Sequence, residues 1–172
     1  MPLEFDINLT EKDIFRFNMY HTYTGFHGIA SILLAIGSFA CAVKTFGTVS
    51  TGYTILYFVF GIILLIYMPL SLYTNSKRQV MMSEAFQHAL HFSINEQGIT
   101  ITQGEEKAEL AWNQIYKVVE TKSNILIYST RKHAFVLPQE MIKKEHDALI
   151  DCMKEHVEKF RLKIKKQSEK QL

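Results

Sequence analysis

Tyr53-Thr-Ile-Leu-Tyr-Phe-Val-Phe-Gly-Ile-Ile-Leu-Leu-Ile-Tyr-Met-Pro-Leu-Ser-Leu-Tyr73 runs without a charge from end to end. A helix needs about 20 apolar residues to cross a bilayer core. The Ile, Leu, Phe and Val residues of this stretch sum to roughly −3 to −7 kcal/mol on the insertion scale, before polar corrections. A core helix of a soluble domain is the rival reading. Such domains seldom hold an uncharged apolar run past ~18 residues, so Tyr53–Tyr73 is expected to be a membrane span.

A second apolar run, Phe26–Val43, precedes it. Its strong apolar residues contribute only roughly −2 to −5 kcal/mol, and His27, Ser31 and Ser38 erode that. Gly28, Ser31, Ala35, Ser38 and Ala42 recur at helical spacing on one face. Small residues let helix backbones approach closely in lipid, and Gly61 on the other span is the expected contact. Lys44–Gly52, with Gly47, Ser50 and Gly52, is a short turn-forming link. So short a link predicts an antiparallel hairpin with both termini on one side. Lys12 and Arg16 precede the hairpin and Lys77 and Arg78 follow it, whereas the link holds only Lys44. The positive-inside rule then places both termini in the cytoplasm of a multi-pass protein of the cell (inner) membrane. Tyr53, Tyr73, Lys77 and Arg78 are the expected interface anchors, and Pro69 predicts a kink.

Before the hairpin, Leu3, Phe5, Ile7 and Leu9 alternate with polar residues, the period of a half-buried strand. A lone strand must find a sheet elsewhere. Thr10 and Asp13 then form a capping-box pattern that opens a helix at Glu11. The first twenty residues mix four acids with apolar residues and predict no secretory leader.

After the spans, 74–87 reads as a helical stalk. Strands follow, with Phe92 and Ile94 up to the turn Asn95–Gly98, Gly98–Gln103, Lys107–Trp112, Ile115–Thr121, Asn124–Thr130 and His133–Leu137. Short runs with regular turns predict an antiparallel sheet or partial barrel. From Gln139 the period changes. Ile142, His146, Leu149, Ile150, Met153, Val157, Phe160 and Ile164 recur at threes and fours and predict a long amphipathic helix over 139–166. A basic tail follows from Lys163.

Two spans, a strand meander and one long helix resemble a pleckstrin-homology-like domain on a membrane anchor. In detail, Leu9-Thr10-Glu11-Lys12-Asp13 with Phe17 and His21, Phe92–Ile99, Leu110–Val118, Leu126-Ile-Tyr128 and Ala134–Pro138 resemble the bacterial YcxB-like membrane proteins. The resemblance implies a fold and a location and supplies no catalytic residues. It also implies that Trp112, Ile115, Phe135, Leu149, Met153, Val157 and Phe160 form the core of a pleckstrin-homology-like domain. Such a barrel has seven strands, and Leu3–Leu9 could supply one beyond the meander.

The expected class is therefore an α+β membrane protein. An N-terminal strand and helix (1–23) lead into a transmembrane hairpin (24–73, spans about 26–43 and 53–73). The stalk and a cytosolic domain (88–172) follow, the latter a sheet packed by its C-terminal helix.

Enzymatic chemistry finds little support. Net charge is +2, which asks for no nucleic-acid partner. His88 and His91 lack a third ligand at metal spacing. His27 lies at a span end, where snorkelling accounts for it. Ser31 and Ser38 have no base in reach. Cys41 and Cys152 sit in unlike segments and predict free thiols. Lys107, Lys117, Lys122, Arg131 and Lys132 are interleaved with glutamates, as on a mixed solvated face. No cofactor or metal is expected. The expected partners are membrane lipids and either a protein partner or further copies in a homo-oligomer. The leading expectation is a non-enzymatic membrane protein whose domain serves protein–protein interaction or self-assembly. An anionic-lipid sensor and an accessory subunit of a transport or immunity system are the alternatives.

Overall fold

The computed structural model describes residues 3–83, 86 and 88–164. The chain forms two units, residues 1–14 with 80–172, and residues 15–79.

The first unit holds two four-stranded sheets. One has the order β1 (Leu3–Ile7), β2 (Leu90–Asn95), β3 (Gly98–Gln103), β4 (Glu106–Ala111), all antiparallel. Phe5, Ile7, Phe92, Ile94, Ile99, Ile101 and Leu110 are buried on one face, as period-two alternation demands. Leu3 pairs with Ile94 and Ile7 with Leu90, so the N-terminal strand finds its sheet across the whole helical unit. The rings of Phe5 and Phe92 stack at 5.6 Å.

The other sheet has the order β7 (Ala134–Pro138), β6 (Asn124–Tyr128), β5 (Lys117–Glu120), β8 (Leu162–Lys163). β6 is buried along its entire length. Ile125 and Ile127 join the main core, while Leu126 and Tyr128 are buried on the opposite face. There Asn124 Nδ2 donates to the Asp13 carbonyl at 3.3 Å, which ties the first turn of α1 (Glu11–Tyr23) to the sheet. That turn is built by the capping box. Thr10 N donates to Asp13 Oδ2 at 3.1 Å, and Asp13 N donates to Thr10 Oγ1 at 3.3 Å.

The two sheets do not close into a barrel, and the long C-terminal helix over 139–166 is not formed. α4 spans only His146–His156. The segment before it is held at the β5–β6 corner. The Gln139 amide donates to the Ser123 carbonyl at 2.8 Å, and Gln139 Nε2 donates to the Thr121 carbonyl at 3.1 Å. After it, Val157 is extended at φ −108° and ψ 133°, although it stays buried on the stripe that α4 began. The chain then turns through a 3-10 turn, and Leu162–Lys163 pairs parallel with β5. Satisfying the backbone groups along an open strand edge outweighs one more helical turn. Phe160, expected in the core, is 77 % exposed as a result. Leu149, Ile150, Met153 and Val157 do pack into one cluster with residues of both sheets.

The second unit is helical. α2 spans Phe26–Thr45 and α3 spans Thr51–Met82, with Pro69 inside a continuous helix. Both are long and apolar enough to cross a membrane by length and composition. The Tyr53–Tyr73 run and the start of the expected stalk are thus one helix. Glu84, Ala85, Gln87 and the basic tail from Lys165 onward lie outside the described residues.

Candidate functional site

The seam between α2 and α3 is the first place where the sequence singled out residues. Gly28, Ala35, Ser38, Ala42 and Gly61 are buried, and Ser31 is half-buried. Ser31 Oγ donates to the Leu64 carbonyl at 3.5 Å, and Thr45 and Thr54 hydroxyls meet at 3.3 Å. Two details differ from the expected arrangement. A Cβ on Gly28 would lie 2.4 Å from the Thr22 carbonyl oxygen and 2.7 Å from Tyr23 Cα. Gly28 therefore lets α2 pass close to the end of α1. The partner of Gly61 is an aromatic ring, with a Cβ there falling 2.9 Å from Phe39 Cζ. Phe39 also meets Phe58 edge-to-face at 5.6 Å. Ser76, buried on α3, accepts from Asn18 Nδ2 at 2.8 Å, a polar tie that periodicity alone does not reveal.

Gly61→Leu is expected to weaken hairpin packing more than Leu64→Ala. The first forces the Phe39 ring out of its seat, and overpacking of this kind costs about 1–3 kcal/mol. The second trims a half-buried chain that can relax. Helix-pair stability in detergent, followed by steric trapping or thermal unfolding, ranks the two; equal losses would refute the Phe39 seat. Tyr53, Tyr73, Lys77 and Arg78 are all exposed at the surface of this unit, and Phe15 packs edge-on against Tyr73 at 5.7 Å.

A polar cleft of about 360 Å³ lies in the sheet unit, lined by Glu120, Lys122, Gln139, Lys143, His146 and Asp147 among others. Glu120 Oε1 accepts from Gln139 Nε2 at 3.2 Å and lies 3.5 Å from His146 Nε2. His146 Nδ1 is 2.9 Å from Asp147 Oδ1. An imidazole between two carboxylates is a fixed polar clamp. It joins the start of α4 to β5 across a sequence gap too wide for motif reading. Among the described residues, no three His, Cys, Asp or Glu side chains converge as a metal set would require. His91 sits on the outer sheet face with Nδ1 2.8 Å from Asp6 Oδ1.

Cys152 and Trp112 meet at His156. Cys152 Sγ is 3.8 Å from His156 Nδ1, and the Trp112 indole stacks on the His156 ring at 4.8 Å. Burial, followed by the charge of Glu155, pushes the Cys152 thiol up, which disfavours the thiolate and its nucleophilicity. Trp112 Nε1 donates to the Asn95 and Glu96 carbonyls, both at 3.1 Å. Trp112 thus bridges the β2–β3 turn and α4 as a buried structural residue. Ile115 is fully buried and Phe135 half-buried beside it.

The outer face of the first sheet is polar. Its cross-strand rows are Glu4, Ser93, Thr100, Glu109 and Asp6, His91, Thr102, Lys107. Lys107 Nζ lies 2.6 Å from Glu109 Oε1, and this hydrogen bond, with the lysine charge behind it, holds the Glu109 carboxyl below its usual range. Four of the six residues of β4 are exposed, Glu106, Lys107, Ala108 and Glu109.

Residues 94–153, from the end of β2 into α4, match the sequence model of the YcxB-like protein family. That stretch is similar to the YcxB-like proteins. The matched segment takes in β3 to β7, Trp112 with the turn that it bonds, and the Glu120–His146 clamp. It leaves out β1, which completes the first sheet, and β8, which edges the second. No curated protein and no solved structure matches the chain.

Proposed function

We propose that this chain is a non-enzymatic integral protein of the cell membrane. Its α2–α3 hairpin anchors a pleckstrin-homology-like domain in the cytoplasm, and that domain serves protein–protein interaction or self-assembly. The observation that carries this reading is the β1–β2 pairing. β1 precedes the first apolar helix and β2 follows the second, yet they are hydrogen-bonded neighbours. Strands of one sheet lie on one side of any bilayer, so the apolar segment between them must cross an even number of times.

Other observations support the same reading. α2 and α3 expose large apolar side chains all along their length, among them Leu33, Ile36, Phe58, Ile63 and Ile66. Water does not tolerate a continuous apolar surface of this kind, whereas lipid does. Lys12 and Arg16 before the hairpin and Lys77 and Arg78 after it outnumber Lys44 at the link, which favours the cytoplasm for the sheet domain. Seven antiparallel strands in a four-plus-three arrangement, followed by a helix, favour the pleckstrin-homology-like assignment.

Cysteine accessibility tests the topology. In a background lacking Cys41 and Cys152, Thr48→Cys is expected to react with a membrane-impermeant maleimide in intact cells. Thr130→Cys is expected to react only after lysis. The reverse pattern would overturn the proposed orientation, and labelling of both in intact cells would overturn the hairpin.

A further inference from the structure

We propose that a second copy of this chain adds to the open edge of β4, antiparallel, about a two-fold axis passing through Ala108. The inference rests on the self-assembly reading above and names its surface.

The backbone phase comes first. In an antiparallel ladder, residues alternate between those bonded to the neighbouring strand and those whose N–H and C=O point away from it. Ala111 N donates to the Gln114 side chain at 3.1 Å, so Ala111 is one of the outward residues. Alternation makes Glu109 and Lys107 outward as well, leaving Ala108 and Leu110 bonded to Ile101 and Ile99 of β3. β4 is the last strand of its sheet among the described residues. The outward groups of Lys107 and Glu109 therefore form an unfilled hydrogen-bonding edge.

The side chains then select the occupant. Edge charges ordinarily guard a strand against indiscriminate pairing. Here the guard is self-complementary. In the register that sets Ala108 opposite Ala108 of the second copy, each Lys107 faces the other copy's Glu109, and the outward backbone groups of both residues are in phase to bond. Opposite charges directly across two strands stabilise the pair, and like charges oppose it. Lys107 and Glu109 share the polar outer face with Thr100 and Thr102, so this exchange takes place in water. Each lysine gives up its same-strand glutamate for the one opposite. Ala108, on the other face, is small and exposed and lets the strands approach. The product is one continuous eight-stranded sheet.

The full-length chain in its membrane provides the test. In a background with Cys41→Ser and Cys152→Ala, Ala108→Cys places two thiols in a non-hydrogen-bonded pair with Cα atoms about 4.5 Å apart, inside the disulfide range of about 4.4–6.8 Å. Mild oxidation is expected to give a covalent dimer in several-fold higher yield than Thr130→Cys. Added to Ala108→Cys, either Lys107→Glu or Glu109→Lys is expected to cut that yield several-fold. The double variant K107E/E109K is expected to restore it, because the swap leaves the pairing complementary. Unfolding midpoints are measured alongside, so that loss of dimer is read only from folded chains.

Equal yields from Ala108→Cys and Thr130→Cys would overturn the proposal, as would a double variant no better than the singles. If amine crosslinking still traps dimers of the wild type in either case, self-assembly stands through another surface and only the β4 edge falls. A wild type that stays monomeric at every membrane density overturns both.

Discussion

Deleting residues 2–9 is expected to unfold the sheet domain. β1 contributes five consecutive pairings to β2, and its Phe5 and Ile7 are buried in the core shared by both sheets and α4. Burying side chains of this size is worth about 1.5–3 kcal/mol each, so the two together approach the lower end of the ~5–15 kcal/mol that holds a domain folded. The deletion also strips the hydrogen-bonding edge of β2 and leaves the Phe92 ring facing water. Chemical unfolding of the detergent-solubilised protein, followed by Trp112 fluorescence, measures the loss. A midpoint equal to that of the wild type would mean that β1 is dispensable.

Gly98→Val is expected to be the most damaging single substitution in the sheets. Gly98 sits at φ +152°, and a Cβ there would meet the Leu110 carbonyl oxygen at 2.4 Å and Ala111 Cα at 2.9 Å. Both obstacles are backbone, so neither can swing aside. The residue is held in place from the other side, because Asn95 Oδ1 accepts from Gln97 N at 2.8 Å and Gly98 N at 3.2 Å. Backbone strain together with overpacking puts the cost at about 3 kcal/mol or more. Gly104 is the internal control. Its φ is +58°, nothing lies within 4 Å of a Cβ there, and asparagine tolerates that conformation. Gly104→Asn is therefore expected to cost under ~1 kcal/mol. Denaturant midpoints of the two variants separate the explanations, since equal losses would point to turn entropy and not to the close approach of β4.

Where a pattern is local, the sequence was sufficient. The Thr10–Asp13 capping box, the Asn95–Gly98 turn and the alternation in β1 to β3 each depend on residues a few positions apart. The two apolar helices were legible for the same reason. The C-terminal helix was overextended because Val157 keeps the helical spacing of apolar residues while its backbone is already extended. Periodicity reports which side chains are buried and is silent on how the chain reaches them. The stripe stayed apolar through Phe160, but the demand of the β5 edge for a neighbour turned the chain and left that ring in solvent. Gly28 is a place of close approach, and its nearest neighbours belong to the end of α1. Its contact with Thr22 depends on how α1 folds back, which spacing along α2 cannot encode. The Glu120–His146 clamp and the Phe39 seat on Gly61 are tertiary meetings of residues with no shared motif.

The pairing of Leu3 with Ile94 has a consequence for synthesis. β1 leaves the ribosome first and has no partner until roughly 90 residues later, a wait on the order of ten seconds at ~5–20 residues per second. In the membrane hairpin proposed above, both apolar helices are delivered to the bilayer during that wait. A chain that inserts only one of them strands β1 and β2 on opposite sides, and the sheet core then stays open. On that reading the strand pairing acts as a proofreading step on insertion, since only a correctly threaded hairpin lets the domain close. We predict that a chain with residues 53–73 removed is cleared quickly by membrane proteases. Pulse-chase labelling reads the half-life, and a deletion chain as long-lived as the wild type would exclude this checkpoint.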